Sequence, residues 1–132
     1  MKPRNPYYLC YYGMLLFMKN RLSEAREFLE KALAVTPSYA LARYQLGWLL
    51  TRLDLYEQAR PELEKAVAIQ PDLHEAYYVL ARTYHKLGEE EKSKSTMATY
   101  LRYRKVEDDE RQQILRQLQR TIQEEIQSPH TP

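Results

Sequence analysis

Apolar residues along the chain recur at intervals of three and four, the spacing of one side of an α-helix. Near the middle, Leu46, Gly47, Leu49 and Leu50 share a helical side, followed by Leu53 and Asp54. A second run carries Tyr56, Ala59, Leu63, Ala66 and Val67 and predicts a helix from about Leu55 to Ile69. Asp54 and Glu57 have the spacing of a capping box at its start. Pro71 marks its end, because the residue before a proline avoids the helical region. Pro61 falls in the second turn, where a missing N–H costs about 3 kcal/mol in a regular interior. A local kink or a late helix start is the expectation there.

This pattern repeats along the chain. Pro3, Pro37 and Pro71 are spaced by 34 and 34. Gly13 and Gly47 keep that spacing, with Ala81 next in the series; so do Ala25, Ala59 and Ser93, and Ala32, Ala66 and Tyr100. Such a period defines units 6–39, 40–73 and 74–107. Small residues recur for a mechanical reason: Gly47 and Ala59 let two helices of one hairpin approach, and Ala66 lets the next unit dock. Lys105 stands where a third closing proline would fall, so the second helix of unit three is expected to run past it. Residues 108–127 carry Ile114, Leu115, Leu118, Ile122 and Ile126 at helical spacing, opposite Arg, Gln and Glu. They read as an amphipathic capping helix that covers the open end of a stack, with a coiled-coil or partner-binding helix as the alternative. Residues 128–132 read as a frayed tail.

Composition narrows the function. The chain has 132 residues, enough for one domain, with 44% apolar and 29% charged residues. Net charge is +2, from 20 basic and 18 acidic residues, which argues against a nucleic-acid or anionic-membrane binder. One cysteine, Cys10, excludes an internal disulfide and an all-cysteine metal cage. His74, His85 and His130 lack metal-ligand spacing, and no HExxH, Cys-x-x-Cys, GxSxG or Gly-rich phosphate loop occurs. No catalytic residue, no metal and no cofactor is expected; the chain reads as no enzyme. Cys10 reads as a buried inert thiol and His85 as a solvated imidazole. The runs Glu89–Glu91 and Asp108–Glu110 each read as acidic starts of helices. The apolar stretch from Pro6 to Met18 follows Lys2 and Arg4, as in a secretory leader, but Lys19, Asn20 and Arg21 stand where a small-residue cleavage site would be. It is also shorter than the roughly 20 residues a membrane span needs. Cytoplasmic residence is the expectation, with the periplasm or membership of a larger protein as alternatives.

The repeat resembles that of the tetratricopeptide repeat family, whose pattern over 34 residues is W-x2-L-G-x2-Y, then A-x3-F, then P. Unit one matches with Leu9, Tyr12, Gly13 and Leu16, then Ala25, Leu29 and Pro37. Unit two has Arg43, Leu46, Gly47 and Leu50, then Ala59, Leu63 and Pro71. Unit three has Tyr77, Leu80, Ala81 and Tyr84, then Ser93 and Met97. Over residues 3–107 the resemblance implies an all-α solenoid of three helix-turn-helix units. It also implies a non-catalytic scaffold for a protein or peptide partner, without naming the partner.

In that family, positions two, five, nine and twelve of each first helix line a concave groove. Here they are Tyr7, Cys10, Met14 and Phe17 in unit one, and Leu41, Tyr44, Trp48 and Thr51 in unit two. Unit three supplies Glu75, Tyr78, Arg82 and His85. The resemblance implies a partner segment burying apolar side chains against Met14, Tyr44, Trp48 and Tyr78, with Arg82 and His85 orienting it. An exposed Trp48 is expected. The family's grip on a chaperone's terminal carboxylates is not expected, because Cys10, Met14, Gln45, Glu75 and Val79 stand where that grip uses Lys, Asn or Arg.

A second stripe, at positions three, six, ten and thirteen, should face the preceding unit. It reads Ala42, Gln45, Leu49 and Arg52, then Ala76, Val79, Thr83 and Lys86. In unit one it is Tyr8, Tyr11, Leu15 and Met18, bulky and apolar or aromatic throughout. That edge is expected to pair with a second copy in a two-fold dimer or to dock on another domain. Self-assembly or docking through it is the alternative function.

Overall fold

A computed structural model describes residues 4–128 of the chain. Pro3, His130 and the expected tail beyond Ser128 lie outside the described residues. Six helices follow one another: α1 Pro6–Met18, α2 Leu22–Val35, α3 Ala40–Arg52, α4 Tyr56–Ile69, α5 His74–Lys86 and α6 Glu90–Gln127. The fold is an all-α helical-repeat solenoid. Two compact regions meet after Tyr100; the first holds α1 to α5 and the opening of α6, and the second holds the remainder of α6. In the first, α1 packs on α2 and α3 on α4, while α2 touches α3 and α4 touches α5.

The turn inside each hairpin has one recurring form. Asn20, Asp54 and Gly88 have φ of 61°, 59° and 79°, the left-handed region that Gly, Asn and Asp tolerate. At the first, Arg21 N–H donates to the Leu16 carbonyl at 2.9 Å and Asn20 N–H to the Phe17 carbonyl at 2.9 Å. Leu55 and Asp54 donate in the same way to Leu50 and Thr51, and Glu89 and Gly88 to Tyr84 and His85. These paired bonds form a Schellman motif, which satisfies the carbonyls a helix end leaves open. Asn20, Asp54 and Gly88 are spaced by 34, a series the apolar pattern does not display.

The Schellman turn also corrects the expected capping box. Asp54 belongs to the end of α3, and the N-cap of α4 is Leu55, without a side-chain cap. The Asp54 carboxylate instead accepts from the Tyr56 hydroxyl at 3.1 Å. A side-chain cap does open α1, where Asn5 accepts from Tyr7 N–H at 2.9 Å and Pro6 takes a position needing no donor. Helix α4 starts on time and runs through Pro61, so the expectation of a late start is corrected.

Each hairpin closes around a small residue. A Cβ added to Gly47 would lie 2.5 Å from Leu63 Cγ; one added to Gly13 would lie 3.0 Å from Leu29 Cγ. Leu29 and Leu63 are fully buried, as are Ala25, Ala59, Ala32 and Ala66. In the third hairpin the Ser93 hydroxyl donates to the Ala81 carbonyl at 2.8 Å. The loops between hairpins are tied back by position four: Arg43 Nε donates to the Pro37 carbonyl at 3.0 Å and the Tyr77 hydroxyl to the Pro71 carbonyl at 2.9 Å.

Two expectations about the C-terminal part are corrected. The second helix of unit three and the expected separate helix over 108–127 are one helix, because no proline, glycine or cap interrupts the chain between them. Asp108–Glu110 therefore opens no helix; it lies inside α6, with Asp108 3.5 Å from Arg111. Glu90 and Glu91 do occupy the first turn of α6.

Candidate functional site

The first helices of units two and three, α3 and α5, form the walls of an open hollow of about 450 Å³. Tyr44, Trp48, Thr51 and Arg52 line it from α3, separated by helical turns. Glu75, Tyr78, Arg82 and Lys86 do the same from α5, above the buried Val79 and Thr83. Tyr56 of α4 and Tyr100 of α6 complete it.

The aromatic wall is packed. The Tyr44 and Trp48 rings stack at 5.9 Å between centroids, and Trp48 meets Phe17 at 5.1 Å. Tyr78 and Tyr100 lie 5.2 Å apart. The Arg82 guanidinium lies 5.8 Å from the Tyr78 ring centroid, and that of Arg52 lies 5.4 Å from Phe17. Burial pushes the Tyr44 hydroxyl up to about 12, and the nearby Glu75 carboxylate adds to that shift.

Of the expected groove residues, the structure brings Tyr44, Trp48, Tyr78 and Arg82 together. Trp48 is half-buried between Phe17 and Tyr44, which corrects the expectation of an exposed indole. Phe17 is buried in the core and offers no open face; Met14 and Leu41 are half-buried against the same core. Tyr7 is exposed, meets Tyr39 edge-on at 5.3 Å and lines a separate hollow of about 310 Å³ with Thr36, Ser38 and Ile69. His85 is not among the residues lining the hollow; its Nδ1 lies 2.8 Å from a Glu90 carboxylate oxygen. Cys10 is fully buried, and burial pushes its thiol up against the opposing effect of a hydrogen bond with Tyr39. Gln45 and Val79 are buried too.

Arg52 and Lys86 were expected to face the preceding unit; both line the hollow instead. Along that stripe Ala42, Leu49, Ala76 and Thr83 are fully buried, but position thirteen falls in the last helical turn, where a long side chain swings clear. Their 34-residue spacing marks Arg52 and Lys86 as equivalent positions but does not tell which way the side chains turn. In unit one the same stripe, Tyr8, Tyr11, Leu15 and Met18, is exposed, Met18 to 81%. Among the described residues, no group of three or more His, Cys, Asp or Glu stands where it would hold a metal. No described helix is long and apolar enough to cross a membrane.

The sequence profile described as tetratricopeptide repeat matches residues 16–72 and again 54–118. No curated protein sequence matches the chain. Among solved structures, the fold is similar to that of MamA, with 22% identity and a TM-score of 0.73 over 80% of this chain and 62% of that one. MamA from residue 41 to its end, from Desulfovibrio magneticus RS-1, is 28% identical with a TM-score of 0.70, over 76% of this chain and 56% of that one. The chain thus spans less than two thirds of the length of these MamA chains. The first tetratricopeptide domain of Spaghetti (RPAP3), bound to the HSP90 peptide SRMEEVD, has a TM-score of 0.73 at 18% identity, over 78% of this chain and 82% of that one.

Proposed function

The chain belongs to the tetratricopeptide repeat family, and from that premise we propose that it is a non-catalytic scaffold which binds a protein or peptide segment in the groove between α3 and α5. The observation that carries this reading is the row of aromatic side chains along one open hollow, with Tyr78 41% exposed. Aromatic rings offer large contact area at low rotamer cost, and the burial of one large apolar partner side chain against them is worth roughly 1.5–3 kcal/mol. The peptide bound to the RPAP3 domain supports a groove of this fold as a peptide site. Tyr78→Ala is the cleanest test, because it removes exposed contact area; Trp48→Ala would also loosen the core through Phe17. Partners captured by the wild-type chain should be lost from Tyr78→Ala while its helicity is unchanged. Full retention of those partners would defeat the reading.

A second reading, self-assembly or docking through the α1 edge, is favoured by the exposure of Tyr8, Tyr11, Leu15 and Met18 on one helix. Sedimentation velocity across a concentration series tests it. Tyr8→Glu with Leu15→Glu should abolish any dimer without loss of helicity, and a wild-type chain that stays monomeric at high concentration would exclude self-pairing.

A further inference from the structure

We infer that the groove selects a partner segment carrying side-chain carboxylates beside an aromatic or aliphatic anchor; this rests on the groove being the binding site. Three cations, Arg52, Arg82 and Lys86, line the hollow. Among the described residues, none of them has an ion pair or hydrogen bond. Elsewhere the chain pairs its partly buried arginines: Arg26 with Glu30, Arg43 with Glu62 and Arg60 with Glu89. The three groove cations are exposed and stand without a carboxylate of the chain.

Their placement is not explained by helix stability alone. Arg52 and Lys86 lie in the last turns of α3 and α5, where any cation favours the carbonyl end of a helix. That preference is met on every side of the turn, yet both side chains line the hollow. Arg82 lies a turn earlier and has no such reason. Its guanidinium stands beside the Tyr78 ring, which orients the planar fork and leaves its N–H groups for a bidentate carboxylate.

The charge is also graded along the groove. Glu75, its one lining carboxylate, sits in the first turn of α5, next to His74 at 3.4 Å. It is about 16 Å along the helix from Lys86 at the usual rise per residue. The aromatic wall lies between these ends. A matching segment places its apolar anchor on Trp48 and Tyr78 and its carboxylates toward Arg82, Lys86 and Arg52. A nucleic acid fits less well: it needs a basic track along its backbone, and three cations at one end of a 450 Å³ hollow make a spot rather than a track.

The test uses a random peptide library displayed on phage, panned against the wild-type chain. Selected sequences should carry Asp or Glu within a few positions of an aromatic or aliphatic residue. A selected peptide, synthesised alone, should bind an Arg82→Gln, Lys86→Gln chain roughly tenfold to a hundredfold more weakly. That difference should shrink in high salt, which screens exposed charge. Both side chains are exposed, and circular dichroism confirms that the variant folds. Selected peptides that lack acidic residues, or that bind the double variant equally while Tyr78→Ala abolishes binding, would overturn the charge preference and leave the groove standing. Selected peptides that bind both variants like the wild type would overturn the groove as well. Displacement of a selected peptide by single-stranded RNA at similar concentration would overturn the choice of a peptide partner.

Discussion

Gly47 and Gly88 are the same residue type held for opposite reasons. At Gly47 the constraint is space: a Cβ would sit 2.5 Å and 2.7 Å from two atoms of the fully buried Leu63. Gly47→Ala gains helix propensity of about 1 kcal/mol but must displace a packed leucine, and overpacking of that kind costs about 1–3 kcal/mol. At Gly88 a Cβ would meet nothing within 4 Å, and the constraint is φ of +79°. Gly88→Ala should therefore cost about 1–2 kcal/mol through the backbone alone. Gly88→Asn should recover part of that loss, whereas Gly47→Asn should be worse than Gly47→Ala. Urea unfolding of the four variants checks the pattern; equal rank orders at the two sites would refute it. Tyr44 gives a second test at this scale. Its folded hydroxyl titrates at about 12, above the ordinary value of 10.0. The folded state thus holds its proton where the unfolded state releases it. The corresponding stability is complete below pH 10 and is lost as pH rises toward 12. Tyr44→Phe should flatten the fall in stability between those pH values, measured by circular dichroism.

At the scale of the element, Pro61 shows what helix context overrides. It has no N–H to offer the Glu57 carbonyl, yet α4 runs unbroken from Tyr56 to Ile69. Ala59, Leu63 and Ala66 bury fully on either side of it, and that packing holds the helix across the missing bond. Pro61 itself is exposed, so Pro61→Ala removes no packing and should stabilise by about 1–2 kcal/mol, the restored bond being offset partly by a freer unfolded chain. Thermal unfolding checks this, and a lowered midpoint would show that the proline is held for another reason. The helices themselves were legible because their burial is periodic: the fully buried Ala59, Leu63 and Ala66 of α4 lie on the stripe read from the sequence, and Ala25, Leu29 and Ala32 of α2 are their counterparts one repeat earlier. Turn chemistry was less legible. Asp54 and Glu57 satisfy the spacing of a capping box, but a residue closing one helix in the left-handed region cannot also cap the next from an extended backbone. In the candidate site, Tyr44, Trp48, Tyr78 and Arg82 were readable from their positions on the first helices. Arg52 and Lys86 were not, because position along a helix does not reveal where a long side chain swings at its last turn. Phe17 was misplaced for the converse reason: whether a wall position opens or closes depends on the neighbouring helix.

At the scale of the whole molecule, a repeat array is a sum of units and of the interfaces between neighbours. The buried hydrophobic cluster runs from Leu9 to Tyr84, and α6 contributes no fully buried residue. Its later stripe, Ile114, Leu115, Leu118, Ile122 and Ile126, is exposed, Ile126 to 73%. Single surface substitutions away from a core usually change stability by no more than about 0.5 kcal/mol, and a segment with no fully buried residue has little packing to lose. Deletion of residues 108–132 should accordingly leave the urea midpoint and the slope of unfolding close to those of the full chain, since little surface is lost from the cooperative core. It should also raise solubility, by removing an apolar stripe from water. A capping helix makes the opposite demand: its removal would uncover the end of the stack, lower the midpoint by several tenths of a molar or more and promote aggregation. The two accounts differ in the sign of the solubility change as well as in the midpoint, so the same truncated chain decides between them. If stability is retained, the stripe is left as a surface with its own partner, and the first compact region, through Tyr100, carries the groove without it.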